Sequence, residues 1–135
     1  MTELEQARLL RAARDAQTHA YAPYSHFAVG AAVLDEQGHV HAGCNVENAA
    51  YPEGTCAEAG AISAMVLAGG RSVRALAVVG GGAGLVTPCG GCRQKLREFA
   101  VGETPVLIGD TEQLRAAFTL GDLLPSSFGP ENLAP

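Results

Sequence analysis

The chain has 135 residues with 14 acidic and 9 basic side chains, a net charge of -5, 47% apolar residues and 17% charged residues. It is long enough for one core-forming domain over 1–135 and too apolar for a disordered chain. It lacks the Lys/Arg stripe of a nucleic-acid binder, an apolar run long enough to span a membrane, and a signal-peptide core. A small ligand in the cytoplasm is therefore expected, with no nucleic-acid or membrane partner.

Residues 3–21 carry apolar and basic side chains at helical steps (Leu4, Ala7, Leu10, Arg11, Arg14), and Pro23 closes that helix. Phe27 to Leu34 is an apolar strand. The turn Asp35-Glu36-Gln37-Gly38 and a return strand over His39 to Cys44 make a hairpin. Asn45 to Thr55 reads as a loop, and Ala57 to Ala68 as a helix stopped by Gly69-Gly70. Ala75 to Val79 is a buried strand. The glycine-rich turn over residues 80–84 lacks the Lys-Ser/Thr of a phosphate loop. A second internal helix has Pro88 in its first turn and runs to Phe99. Strands follow at Val106 to Ile108 and Ala116 to Thr119, then a helical turn at Leu120 to Leu124 and an irregular tail. Strands alternating with helices predict an α/β sandwich around one mostly buried sheet.

Two short segments carry the chemistry, Cys56-Ala57-Glu58 and Pro88-Cys89-Gly90-Gly91-Cys92. Three thiolates fill three corners of a zinc tetrahedron and leave the fourth for water. Each segment opens a helix, where free N–H groups and partial positive charge favour thiolate over thiol. The three-residue step from Cys89 to Cys92 puts both sulfurs on one helical face. By chemistry alone other readings stay open. One is a redox C-x-x-C pair. Another is a closed structural zinc site whose fourth ligand is Cys44 or one of His19, His26, His39 and His41. Four cysteines are too few for a disulfide scaffold, and their spacing suits metal in a reducing compartment.

Glu58 tips the balance toward catalysis. It lies two residues from the first sulfur, close enough to move a proton of water acidified by the metal to a pKa of about 7. Three thiolates and one Zn²⁺ sum to minus one, so a cation near the sulfurs is expected, and Arg93, directly after Cys92, is the candidate.

C-x-E with P-C-x-x-C resembles the zinc-dependent nucleobase deaminases. The resemblance extends through Ala22-Pro23-Tyr24-Ser25-His26-Phe27, Val29-Gly30-Ala31-Ala32, Gly43-Cys44-Asn45-Val46-Glu47-Asn48-Ala49, Arg93-Gln94 and Leu123-Leu124-Pro125-Ser126-Ser127-Phe128-Gly129-Pro130. Together these segments are similar to the small homotetrameric cytidine deaminases from about residue 20 to 133. The resemblance implies a three-layer α/β/α sandwich with a mixed five-stranded sheet and one zinc per subunit. It implies pyrimidine salvage by hydrolytic deamination of cytidine and 2′-deoxycytidine, with hydroxide generated at the metal attacking C4 and Glu58 as proton shuttle. By the same resemblance Asn45 and Glu47 hold ribose hydroxyls, Phe27 packs on the pyrimidine, and the Ala57 backbone meets the base edge. Tyr51 and Phe128 would reach a neighbouring subunit's site in a homotetramer. Ala59-Gly60 stands where most three-thiolate members carry Arg-Thr, and that arginine tempers the sulfur charge. The competing readings are a deaminase for a modified cytosine nucleoside such as blasticidin S, against which Asn45-Val46-Glu47-Asn48 argues, and a non-catalytic zinc-stabilised interaction module.

Overall fold

The computed structural model describes all residues, 1–135. Five strands form one sheet: β1 (Gly30–Asp35), β2 (Val40–Cys44), β3 (Val73–Val79), β4 (Pro105–Gly109) and β5 (Leu114–Thr119). Their spatial order is β2-β1-β3-β4-β5. The β3–β4 pair is parallel, and the other three neighbouring pairs are antiparallel. The mixed sheet expected from the resemblance is therefore present.

Helices cover both faces. On one side, α1 (Glu3–Gln17) packs Leu9, Leu10 and Ala13 against Ala32, Leu34, Ala75, Ala77 and Leu107. On the other, α2 (Ala57–Leu67), α3 (Gly90–Arg97) and the short α4 (Leu120–Leu123) cover Ala31, Val33, Leu76, Val78, Val106 and Ile108. The alternation of sheet residues between these two sets is the period of two that a strand imposes. All six residues of β1 are buried, so this central strand has lost the polar-out pattern of a half-exposed one.

Thr2 and Glu5 close a capping box at the start of α1, worth about 1 kcal/mol. Each fully buried Leu beneath the helix contributes about 1.5–3 kcal/mol, so packing rather than capping holds it in place. The helix ends at Gln17, before the expected residue 21. There the Thr18 hydroxyl donates to the Asp15 carbonyl and the Gln17 side chain donates to the Ala28 carbonyl. Strand β1 likewise begins at Gly30 rather than Phe27. Side chains rather than a neighbouring strand hold the preceding segment, as described below. No helix is long and apolar enough to cross a membrane.

One close approach fixes where the chemistry sits. A Cβ on Gly43 of β2 would lie 2.4 Å from the Ala61 nitrogen and 2.6 Å from the Ala57 carbonyl oxygen. Only glycine lets the first turn of α2 lie flat on that strand. The first turn of α2 holds Ala57 and Glu58, directly after Cys56.

Candidate active site

Cys56 is the residue immediately before α2 and Cys89 the one immediately before α3, both with extended backbone. Cys92 follows within the first turn of α3 and is buried. Pro88 thus lies before α3, not in its first turn as the sequence suggests. Each helix starts at a cysteine, so two positive helix ends converge on the sulfurs. The three Sγ atoms lie within 4.8 Å of one another, and Cys56 Sγ is 3.9 Å from Cys89 Sγ. A tetrahedral zinc site with Zn–S of about 2.3 Å separates its sulfurs by about 3.8 Å. The donor set therefore fits one Zn²⁺ per chain. Burial, reinforced by the Glu58 and other thiolate charges, pushes the Cys92 thiol well above its ordinary value. Burial also raises Cys56, with the Cys89 charge adding to it. Hydrogen bonding from the Cys92 backbone N–H lowers Cys89. Thiols must lose their protons to bind, so metal uptake is coupled to proton release.

Glu58 is 5% exposed in the first turn of α2. Burial raises its pKa, against the opposing pull of its own backbone N–H and the Lys95 charge. Burial that raises a carboxyl group's hold on its proton suits the group to take and return protons, as a general acid–base must. Glu58 shares a cavity of about 180 Å³ with Cys56, Cys89, Ala57, Asn45, Val29, Val86 and Thr87.

The next cavity, about 340 Å³, is lined by Tyr24, Ser25, Glu47, Asn48, Tyr51 and Gly54. Asn45 and Glu47 lie just beyond β2 and brace the segment before β1. Asn45 Nδ2 donates to the Phe27 carbonyl at 2.8 Å, and Asn45 Oδ1 accepts from the Val29 N–H at 2.9 Å. Glu47 Oε1 accepts from the Tyr24 and Ser25 N–H groups, and Oε2 accepts from the Ser25 hydroxyl. The Ser25 hydroxyl and N–H lead in holding Glu47 below the usual carboxylate range.

Three sulfurs at two facing helix starts, with a buried carboxyl group beside them, suit zinc-dependent hydrolysis of a small molecule. The family model for the cytidine and deoxycytidylate deaminase zinc-binding region matches residues 4–108. The chain belongs to this deaminase family. A cytidine deaminase from Sporosarcina psychrophila is 44% identical over 94% of this chain and 93% of its own length. One from Mycobacterium tuberculosis is 46% identical over 90% of this chain and 87% of its own. The crystal structure of cytidine deaminase from Burkholderia pseudomallei superposes with a TM-score of 0.84 at 42% identity, covering 95% of this chain and all of that one.

The deaminase fold assembles some expected site residues in one chain and leaves others apart. Cys56, Cys89, Ala57, Glu58 and Asn45 meet in one cavity, and Cys92 completes the sulfur cluster. Glu47 and Tyr51 line a second cavity, separate from the first. Phe27, Tyr51 and Phe128 are 42%, 78% and 59% exposed. Phe128 rides on a C-terminal segment tied to α3, where Gln94 Nε2 donates to the Phe128 carbonyl and Arg97 Nε to the Ser127 hydroxyl.

The expectation that Arg93 faces the sulfurs meets a different geometry. Its guanidinium donates to the Pro88 carbonyl at 2.7 Å, the Leu123 carbonyl at 2.8 Å and Thr87 Oγ1 at 3.2 Å. None of these bonds reaches a sulfur. Arg93 braces the loop leading into Cys89 by satisfying the Pro88 carbonyl of that loop and the Leu123 carbonyl at the end of α4. Lys95, three residues beyond Cys92, is the cation whose charge reaches Glu58. Sequence reading missed it, although the helical step of three carried the signal. It also missed Thr87 as a wall of the cavity and Ser25 as the partner of Glu47. Thr87 stands directly before the quoted P-C-x-x-C motif and Ser25 lies inside the quoted Tyr24-Ser25-His26-Phe27 segment.

Proposed function

We propose that this protein deaminates cytidine and 2′-deoxycytidine by hydrolysis, releasing ammonia and the corresponding uridine nucleoside. The observation that carries this reading is the buried Glu58 sharing one cavity with the Cys56 and Cys89 sulfurs and the Asn45 side chain. Cys56, Cys89 and Cys92 would hold Zn²⁺, which would supply Lewis acidity and lower the pKa of water to about 7. Glu58 takes a proton from the attacking water and delivers it to the ring nitrogen next to C4. It then takes the second proton and passes it to the departing amino group, so that water and cytidine become uridine and ammonia. The Ala57 backbone lies in the same cavity and suits the base edge. Asn45 and Glu47 suit the sugar, since an amide both donates and accepts and a carboxylate accepts. Phe27 suits the face of the pyrimidine. Arg93 acts at one remove, by fixing the approach to Cys89.

We also propose a single catalytic domain over 1–135 that assembles as a homotetramer with composite sites and works in pyrimidine salvage in the cytoplasm. The exposed Tyr51 ring, 6.2 Å from the exposed Tyr24 ring, and the exposed Phe128 support a partner subunit that would cover them. Four free cysteines suit a reducing compartment. A modified-nucleoside deaminase and a non-catalytic zinc module are both disfavoured by the family match over residues 4–108. Loss of the cytidine ultraviolet band on mixing with wild-type protein, and its persistence with Glu58→Gln, is the expected result. An unchanged band with both proteins would support the non-catalytic module.

A further inference from the structure

The segment between α1 and β1 carries Phe27 yet belongs to no strand or helix. At its centre His26 has a φ of 57°, a left-handed conformation that residues other than glycine seldom adopt. Such a backbone persists only where its surroundings determine it. Here the determinants are two side chains from beyond β2 and one from the segment itself. Asn45 ties the Phe27 carbonyl and the Val29 N–H. Ser25 Oγ accepts from the Phe27 N–H at 3.0 Å and gives its single proton to Glu47 Oε2. Both backbone polar groups of Phe27 are therefore fixed by side chains.

The count of acceptor positions on Glu47 sharpens this. An ionised carboxylate offers about four. The Tyr24 and Ser25 N–H groups occupy two on Oε1 and the Ser25 hydroxyl occupies one on Oε2. One position remains, on the oxygen that Ser25 orients.

We propose that Ser25 is a positioning residue for nucleoside binding. One hydroxyl aims the last free acceptor position of Glu47 at the sugar and, through the Phe27 N–H, sets the ring that packs on the base. Sugar and base recognition are thereby coupled through a single side chain. This inference rests on the reading above, in which Glu47 meets the sugar and Phe27 the pyrimidine.

The test is steady-state kinetics of the zinc-loaded protein on cytidine and on 2′,3′-dideoxycytidine, whose sugar ring lacks both hydroxyls. Ser25→Ala should raise KM for cytidine about tenfold, the scale of one lost hydrogen bond to a charged group, with kcat within about twofold. For the dideoxy substrate the change in kcat/KM should fall to about threefold or less, because neither the 2′- nor the 3′-hydroxyl remains for Glu47 to meet. Ser25→Thr keeps the hydroxyl and should restore KM for cytidine to within about threefold of wild type. An unchanged KM in Ser25→Ala, equal losses on both substrates, or failure of Ser25→Thr to restore KM would overturn the proposal. So would an alanine variant that unfolds or loses zinc, because that makes Ser25 a residue of the fold. Wild-type protein inactive on both nucleosides would instead sink the functional reading and this inference with it.

Discussion

The two ends of the site are built differently. At the metal end, the three cysteines and Glu58 come from two helix starts packed on the sheet, and Cys92 and Glu58 are 1% and 5% exposed. At the proposed nucleoside end, Phe27 and Phe128 sit on irregular segments and Tyr51 on a single 3-10 turn, and all three are exposed. The metal end is complete within one chain, held by glycine-mediated contact between α2 and β2. The nucleoside end is braced by hydrogen bonds and presents apolar rings that a single chain does not cover. Chemistry that needs fixed distances is placed on rigid elements, and binding that needs access is placed on loops.

If that division is right, damage at the metal end strikes turnover and damage at the nucleoside end strikes affinity. Glu58→Gln should lower kcat by about 10²–10⁴-fold, the range for loss of a general acid–base, while zinc content stays at wild-type level. A loss of zinc in that variant would mean that the carboxyl group supports the metal rather than the proton transfers. Phe128→Ala should be milder, raising KM about three- to tenfold with kcat nearly unchanged, as expected for loss of one stacked ring. A collapse of kcat there would break the comparison, because it would place a loop residue in the chemistry.

The smallest effect lies far from both ends and checks that the frame is independent of them. Asp35 is buried at the end of β1. Burial alone would raise its pKa, but the His41 ring at 2.8 Å and the N–H groups of His39 and Gln37 outweigh it and hold it below the usual range. A carboxylate with a depressed folded pKa stabilises the fold above its unfolded value of about 3.9, and that contribution fades as pH falls through the folded value. Melting temperatures should therefore show wild type above Asp35→Asn at pH 7, with the gap closing below about pH 4. A gap of constant size across that range would mean that the Asp35 charge contributes nothing.

Much of the metal end is legible in the sequence because its geometry is local. Cys56-Ala57-Glu58 and Cys89 to Cys92 each fit within a helical turn, so spacing alone sets which groups share a face. The α/β alternation and all five strands are legible for the same reason. The bracing of Phe27 is not, because Asn45 and Glu47 lie about twenty residues away and act through side-chain-to-backbone bonds that no periodicity encodes. That bracing is also why β1 starts three residues later than its apolar pattern suggests. Arg93 shows the opposite error. Adjacency to Cys92 in sequence suggests contact with the sulfurs, but successive helical residues are turned about 100° apart. Its guanidinium finds carbonyls instead. The Ala59-Gly60 departure stands out only against the family pattern, and Lys95 reaches Glu58 from the facing helix, a pairing that the step of three from Cys92 hints at but that only the packing of α2 on α3 completes.

The central claim is that three sulfurs hold one zinc ion that works with Glu58. Its most direct test is to titrate metal-stripped protein with Zn²⁺ while following cytidine turnover and bound metal together. Activity should rise in proportion to bound zinc and plateau at one ion per chain, with Glu58→Gln taking up the same single ion and staying inactive. Full turnover in protein carrying no zinc, or a plateau at a different stoichiometry, would contradict the account.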